Sequence, residues 1–239
     1  RQLVTRPAPD AATLVTAIET DAGVLSARFA AHDLTLVPLG LDPIRPARRT
    51  LDAPRYAAME QYFAAHSPAG IDMMTRTASL QLNIDFGPDP ARTWNLAHQL
   101  APFLAATFAN SPTIDGVDFQ PVSRRQQIWA ATDPTRTRPV GATPSAWHRY
   151  ILDANVMLLH DEHGIQRSPD AHTFAESLAG ERPPTPADLD LHLTTLFPPV
   201  RPRGYLELRM IDALPRHGRA AAIATCLLYT SPSPRDRYI

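Results

Sequence analysis

TTLFPPVRPRGYLELRMID, residues 194–212, is the stretch on which the reading of the fold turns. From Tyr205 onward it alternates. Leu206, Leu208 and Met210 fall on one side of an extended chain, and Tyr205, Glu207 and Arg209 on the other. The pattern predicts a strand with an apolar face and a second face that sets a carboxylate beside a guanidinium. Such a pair is costly to bury unless it is paired or liganded. Two readings stand at this point, a solvated sheet face and a catalytic strand. The approach to the strand is unusual: Pro198, Pro199, Pro202 and Gly204 stiffen and then bend the chain. Arg201 and Arg203 add cations at the same place. The segment reads as a rigid cationic lip leading into a strand with chemistry on one face.

Working outward, TASLQLNIDF (Thr77 to Phe86) is a second strand of period two. Ala78, Leu80, Leu82, Ile84 and Phe86 share one face; Thr77, Ser79, Gln81, Asn83 and Asp85 share the other. Short, neutral hydrogen-bonding side chains suit a polar cavity better than open surface. Between these strands lies a helix from about Arg92, with Trp94, Ala97, Leu100, Leu104 and Phe108 inward and Pro102 expected to kink or split it. SRRQQIW (Ser123 to Trp129) follows. Read as a strand, it lets only one of the neighbours Arg124 and Arg125 face a cavity. Further back, Asp10 caps a helix from Ala11 to Ala31 with a stripe of Leu14, Val15, Ile18, Val24, Leu25 and Phe29. Gln2–Thr5 and Leu34–Leu39 are strand candidates, and Pro54 opens PRYAAMEQYFAAH with Tyr56, Met59, Tyr62 and Phe63 at helical spacing. Arg55 sits where the first turn's free donors already favour an anion. HDEHG (His160 to Gly164) reads as a surface turn rather than a metal site, and Thr185 caps a proline-led helix.

Helices alternating with one-sided strands predict an α+β fold, an antiparallel sheet with helices on one side. A chain of 239 residues, 44% hydrophobic, is enough for one domain with a substantial core. A net charge of −1 gives no global field for nucleic acid or an acidic membrane, so the arginines are argued one cluster at a time. All 23 basic residues are arginine. The aromatics do not interleave with a basic stripe, no apolar run has the length of a membrane span, and a cytoplasmic protein is the default expectation. Phosphate-binding glycine motifs and a serine nucleophile elbow are absent from the sequence. The chain opens on Arg1, and CLLYTSPSPRD (Cys226 to Asp236) reads like translated adapter sequence. Residues 1–225 are therefore expected to be a partial catalytic domain and 226–239 a non-native tail.

Five stretches in order, PRYAAMEQYF, MMTRTASLQLNIDF, FANSP, SRRQQIW with DPTRT, and TTLFPPVRPRGYLELRMID, resemble the glutamate–cysteine ligases of the plant and actinobacterial type. The resemblance covers about Leu34 to Pro215 and extends to the bacterial branch that serves ergothioneine synthesis. It implies a glutamine-synthetase-like fold, in which a curved antiparallel sheet forms a funnel for ATP, Mg2+ and glutamate. It implies ATP-dependent ligation of L-glutamate, through its side-chain acyl phosphate, to L-cysteine. On that reading Glu207 and Arg209 are catalytic, and Glu207 and Gln81 ligate the metal. Gln81, Asn83 and Arg203 form the phosphate floor, while Arg55, Thr77, Arg125 and Trp129 hold substrate. Plainer roles stay open for each: Glu207 and Arg209 can pair with each other, Arg55 with Glu60, and Arg125 can brace a loop. The same fold also serves carboxylate–amine ligases with another amine, or a non-catalytic metabolite-binding relic. The family's first metal-binding glutamates lie in an N-terminal strand block missing here, and in one register Val4 stands where a further one is expected. The implication is weak magnesium binding and an inactive fragment of an active parent.

Overall fold

Ser79–Ile84 and Leu206–Asp212 lie side by side as antiparallel strands in a computed structural model that describes residues 3–118, 123–162 and 164–230. In chain order the elements are α1 (Ala11–Ala30), α2 (Pro54–His66), α3 (Ala69–Arg76), β1 (Ser79–Ile84), α4 (Pro90–Thr107), β2 (Thr113–Ile114) and β3 (Val117–Asp118). Then come α5 (Arg124–Thr132), α6 (Pro134–Thr137), α7 (Pro144–Asp153), β4 (Leu158–Asp161), β5 (Gly164–Arg167) and α8 (Phe174–Leu178). The chain finishes with α9 (Pro186–Leu193), β6 (Val200–Pro202), β7 (Leu206–Asp212) and α10 (Arg216–Thr230). The strands form small antiparallel sheets, of order β1-β7-β6 in the largest, with hairpins β2-β3 and β4-β5. The fold is α+β, as the alternation predicts.

Register explains what the central sheet does. Ile84 lies opposite Leu206, Asn83 opposite Glu207 and Leu82 opposite Leu208. Beyond a shift, Leu80 lies opposite Ile211 and Ser79 opposite Asp212. Gln81 of β1 therefore faces both Arg209 and Met210 of β7, a β-bulge. An extra residue on one strand reverses the parity of everything after it. The apolar face is Leu80, Leu82 and Ile84 with Leu206, Leu208 and then Ile211, and Met210, at the bulge, is buried in the same cluster. Asp212 shares the face of Glu207 and Asn83.

The apolar face packs on Trp94, Ala97 and Leu104 of α4 and on Ala222, Ile223 and Cys226 of α10. A second cluster joins Met59, Tyr62 and Phe63 of α2 to Met73 of α3, Ile128 of α5 and Met157. Each fully buried Leu, Phe or Met adds about 1.5–3 kcal/mol, which is what fixes the helices against the sheet. The helix starts follow local chemistry. Asp10 accepts from the Thr13 N–H, and Thr185 and Asp188 form a reciprocal capping box. Gly204, at φ 78°, makes the turn between β6 and β7 in a conformation that a side chain resists.

Several expectations change. SRRQQIW is helical, because the Ser123 hydroxyl caps it and the Arg-Arg-Gln-Gln run favours helix over strand. Leu34–Leu39 and Leu3–Thr5 are not strands, and Val37 is 63% exposed with no described strand beside it; Gln2 lies outside the described residues. Helix α4 continues through Pro102 as one element. No residue of α1 is fully buried, since it rests mainly on α10, and Val24 of its expected stripe is exposed. Tyr56 likewise leaves the α2 stripe for the surface. Of HDEHG, His160 and Asp161 end β4 and Gly164 begins β5; His163 lies outside the described residues. Helix α10 runs through Thr225 and Cys226, and Cys226 is buried. Among the described residues no helix is long and apolar enough to cross a membrane.

Candidate active site

The polar face of β7 meets the first turns of α5. On α5, Arg125 and Trp129 stand four residues apart and so share one side of the helix. Beyond Leu208, β7 has no paired residue on β6, and its edge carbonyls need donors. Arg125 and Gln126 supply them. Arg125 Nη2 donates to the Arg209 carbonyl at 2.9 Å, and Gln126 Nε2 to the Met210 carbonyl at 2.6 Å. The bulge thus serves as the socket for α5.

The result is a cavity of about 220 Å³ whose lining includes Arg125, Gln126, Trp129, Phe197 and Arg209. The guanidinium carbons of Arg125 and Arg209 each lie 5.6 Å from the centroid of the Trp129 ring. Phe197 meets that ring edge-on at 5.6 Å. Trp129 Nε1 donates to Thr77 Oγ1 at 3.3 Å, and that hydroxyl donates in turn to the Met73 carbonyl. Thr77 therefore fixes the indole and has no second proton to offer a ligand. Beside the cavity, Glu207 Oε2 accepts from Arg201 Nε at 2.7 Å and Arg209 Nη1 at 3.1 Å.

Burial governs the electrostatics. It would push the Glu207 carboxyl up, but Arg209 and Arg201 outweigh it and hold the group below the usual carboxylate range. Arg209 is pulled down to about 10, first by burial and then by Arg201, against the pull of Glu207. Burial also lowers Arg125, with Asp212 opposing. The Nε atoms of Arg125 and of Arg209 are buried and without a hydrogen-bond partner. Donors left in that state are costly to bury.

The structure brings Glu207, Arg209, Arg125, Trp129 and Thr77 together, with Gln81 at the bulge opposite Arg209. Asn83 lies opposite Glu207 but is exposed, and Arg203 is exposed in the β6–β7 turn. Arg55 is half-buried one step away. Its Nη2 donates to the Thr194 carbonyl at 3.3 Å, and burial, with Arg201 adding to it, lowers its pKa. Glu60, the alternative partner, is taken by Arg49 at 2.7 Å.

A family model described as glutamate-cysteine ligase family 2 (GCS2) matches residues 2–231. The chain belongs to that family. It is 46% identical over 231 residues to glutamate–cysteine ligase EgtA of Mycolicibacterium smegmatis, an alignment that covers 88% of this chain and 53% of that protein. Against EgtA of Mycobacterium tuberculosis the identity is 40% over 235 residues, covering 92% and 54%. The chloroplastic glutamate–cysteine ligase of Medicago truncatula is 32% identical over 221 residues, covering 84% and 43%. The chain spans about half the length of the curated relatives it matches.

Within this ligase-family chain the sequence reading missed Asp212, Gln126 and Phe197. Asp212 is fully buried on the site face. Strict alternation assigns it to the apolar face, so only the pairing partner of β7 could have revealed it. Among the described residues no group of three or more His, Cys, Asp or Glu is placed to hold a metal. Glu207 shares one oxygen between two guanidinium groups, so a dication there would meet two positive charges. These residues do not by themselves fit a magnesium site.

Proposed function

We propose that this chain carries the glutamate- and phosphoryl-handling face of an ATP-dependent glutamate–cysteine ligase that makes γ-glutamylcysteine for ergothioneine biosynthesis. The observation that carries the reading is the pair of buried guanidinium groups of Arg125 and Arg209, whose partnerless Nε donors belong to side chains lining one cavity beside Glu207. A side-chain carboxylate oxygen of L-glutamate attacks the terminal phosphorus of ATP, ADP leaves, and an acyl phosphate forms. The cysteine amine then attacks the acyl carbon, phosphate departs, and the amine loses a proton. Such a sequence asks for positioning and charge neutralisation rather than a protein nucleophile. Arg125 holds a glutamate carboxylate against the Trp129 wall, Arg209 meets charge that develops on the phosphoryl oxygens, and Glu207 fixes the Arg209 fork. Arg55 and Arg203 line the approach, and Gln81 and Asn83 the floor.

The sheet β1-β7-β6 is, in this proposal, one part of a glutamine-synthetase-like funnel in the cytoplasm. Mg2+ would accompany ATP, but Glu207 and Gln81 alone make a poor cation site. We expect no turnover from this chain by itself. The test is formation of γ-glutamylcysteine by the full-length protein that contains this sequence, with ATP, L-glutamate and a panel of amines. Product that depends on all three substrates and prefers cysteine supports the proposal. Preference for another amine moves the protein to a sister activity, and nucleotide-independent glutamate binding without product makes it a non-catalytic relic.

A further inference from the structure

The site contains a carboxylate that touches no cavity and yet controls the residues that do. Asp212 is 0% exposed on the site face of β7. Its Oδ2 accepts from the Ser111 hydroxyl at 2.7 Å and from the Asn110 N–H at 2.8 Å, and its Oδ1 accepts from the Ser123 hydroxyl at 2.8 Å. Arg125 Nη1 stands 3.5 Å from Oδ1, a long contact beside the short ones.

The two hydroxyls pass this polarity on to α5. Each has one proton, and an ionised carboxylate can only accept, so both protons point at Asp212. Their lone pairs are thereby turned toward the start of α5. Ser111 Oγ accepts from the Arg125 N–H at 3.0 Å, and Ser123 Oγ from the Gln126 N–H at 3.2 Å. These are the free donors of a helix's first turn, which need an acceptor. The backbone of Arg125, the guanidinium that lines the cavity, is thus set by a relay that ends on Asp212. Gly40 shows how tightly the carboxylate is seated: a Cβ there would lie 2.5 Å from Asp212 Cγ.

We infer that Asp212 is a positioning residue for the Arg125–Trp129 wall, acting through the Ser111 and Ser123 hydroxyls. The inference rests on the ligase reading only for the name of the ligand. Asp212→Asn keeps the shape but offers an amide donor on one side, so one hydroxyl must reverse and one helix donor loses its acceptor.

The experiment uses the full-length protein as wild type, Asp212→Asn, Ser123→Ala and the double variant. For Asp212→Asn the expected result is a rise of about tenfold in KM for L-glutamate, the size of one charge-assisted hydrogen bond. KM for ATP should stay within about twofold, because Arg209 and Glu207 are not part of the relay. Ser123→Ala should act in the same direction, and the double variant should add little, as members of one network do. A ligand-free readout accompanies these: near-UV circular dichroism of Trp129, taken as the difference from Trp129→Phe, should change in Asp212→Asn. Equal rises in both KM values with an unchanged Trp129 signal would reduce Asp212 to a general stabiliser and overturn the inference, as would unchanged kinetics. If the wild type shows no glutamate dependence, the ligase reading fails, and the Trp129 signal alone still decides the positioning role. If Asp212→Asn does not fold, Ser123→Ala carries the same comparison.

Discussion

Arg209 is the residue in which the local forces meet. It is 8% exposed, close to the rings of Trp129 and Phe197, and tied to Glu207. A lysine keeps the charge but not the planar fork that engages Glu207 while facing the rings. Arg209→Lys in the full-length protein is expected to lower kcat for γ-glutamylcysteine by about 10²–10³-fold with little change in thermal midpoint; steady-state kinetics and a melting curve check it. A second expectation concerns His192, which is 2% exposed, stacked on Phe174, with Nε2 3.0 Å from the Ile151 carbonyl. Burial, with Arg136 adding to it, pushes its pKa down to about 4. An unfolded histidine titrates near 6.5, at about 1.4 kcal/mol per pKa unit of difference. The unfolded chain therefore binds the extra proton between about pH 6.5 and 4. Stability from this residue is complete above that window and declines through it on acidification, by on the order of 3 kcal/mol. Urea unfolding at pH 7 and pH 4.5 should show this, and His192→Gln, which retains an amide donor toward Ile151, should lack that share of the acid sensitivity.

Among the elements, α4 carries a removable flaw. Pro102 lies within it on the exposed side, between the buried Ala101 and Leu104, and supplies no N–H for the helix ladder. Pro102→Ala is expected to stabilise the protein by about 1–3 kcal/mol in chemical denaturation, without touching the core. The elements also show what a sequence can disclose. Both long strands were legible, because period two is a local property and Leu80, Leu82 and Ile84 declare it. The bulge was not, because it exists only in the pairing of β1 with β7, and so nothing local singles out Asp212. Helix α5 was misread for a related reason. Its buried Arg125 is held by carbonyls of β7, so no apolar period marked which side of SRRQQIW turns inward. Trp129 and Glu207 were recognised as residues of interest, whereas their neighbours Gln126 and Phe197 became visible only through contacts far away in sequence.

At the scale of the whole molecule, the candidate site lies where two hydrophobic clusters meet. Met210 belongs to the cluster under the sheet, and Trp129 and Phe197 pack against the other. A ligand that bridges Arg125 and Arg209 would tie the two together and stabilise the folded state by mass action. At about 100 times its Kd, L-glutamate should add about 2.7 kcal/mol, read as a higher thermal midpoint, and D-glutamate much less. An unmoved midpoint with saturating L-glutamate would count against the cavity as its seat. The bulge, finally, makes the chain unusually sensitive to a kind of genetic change that composition hides. Losing the single codon for Met210 leaves the reading frame and nearly all of the hydrophobic content intact. The ladder would then straighten with Ile211 still opposite Leu80 and Asp212 still opposite Ser79, but the Met210 carbonyl that receives Gln126 Nε2 would be gone, and with it part of the seat on which α5 and its Arg125 rest. Such a one-triplet deletion should therefore spare the sheet and cost the site, the reverse of a point substitution at a buried leucine of the same strand.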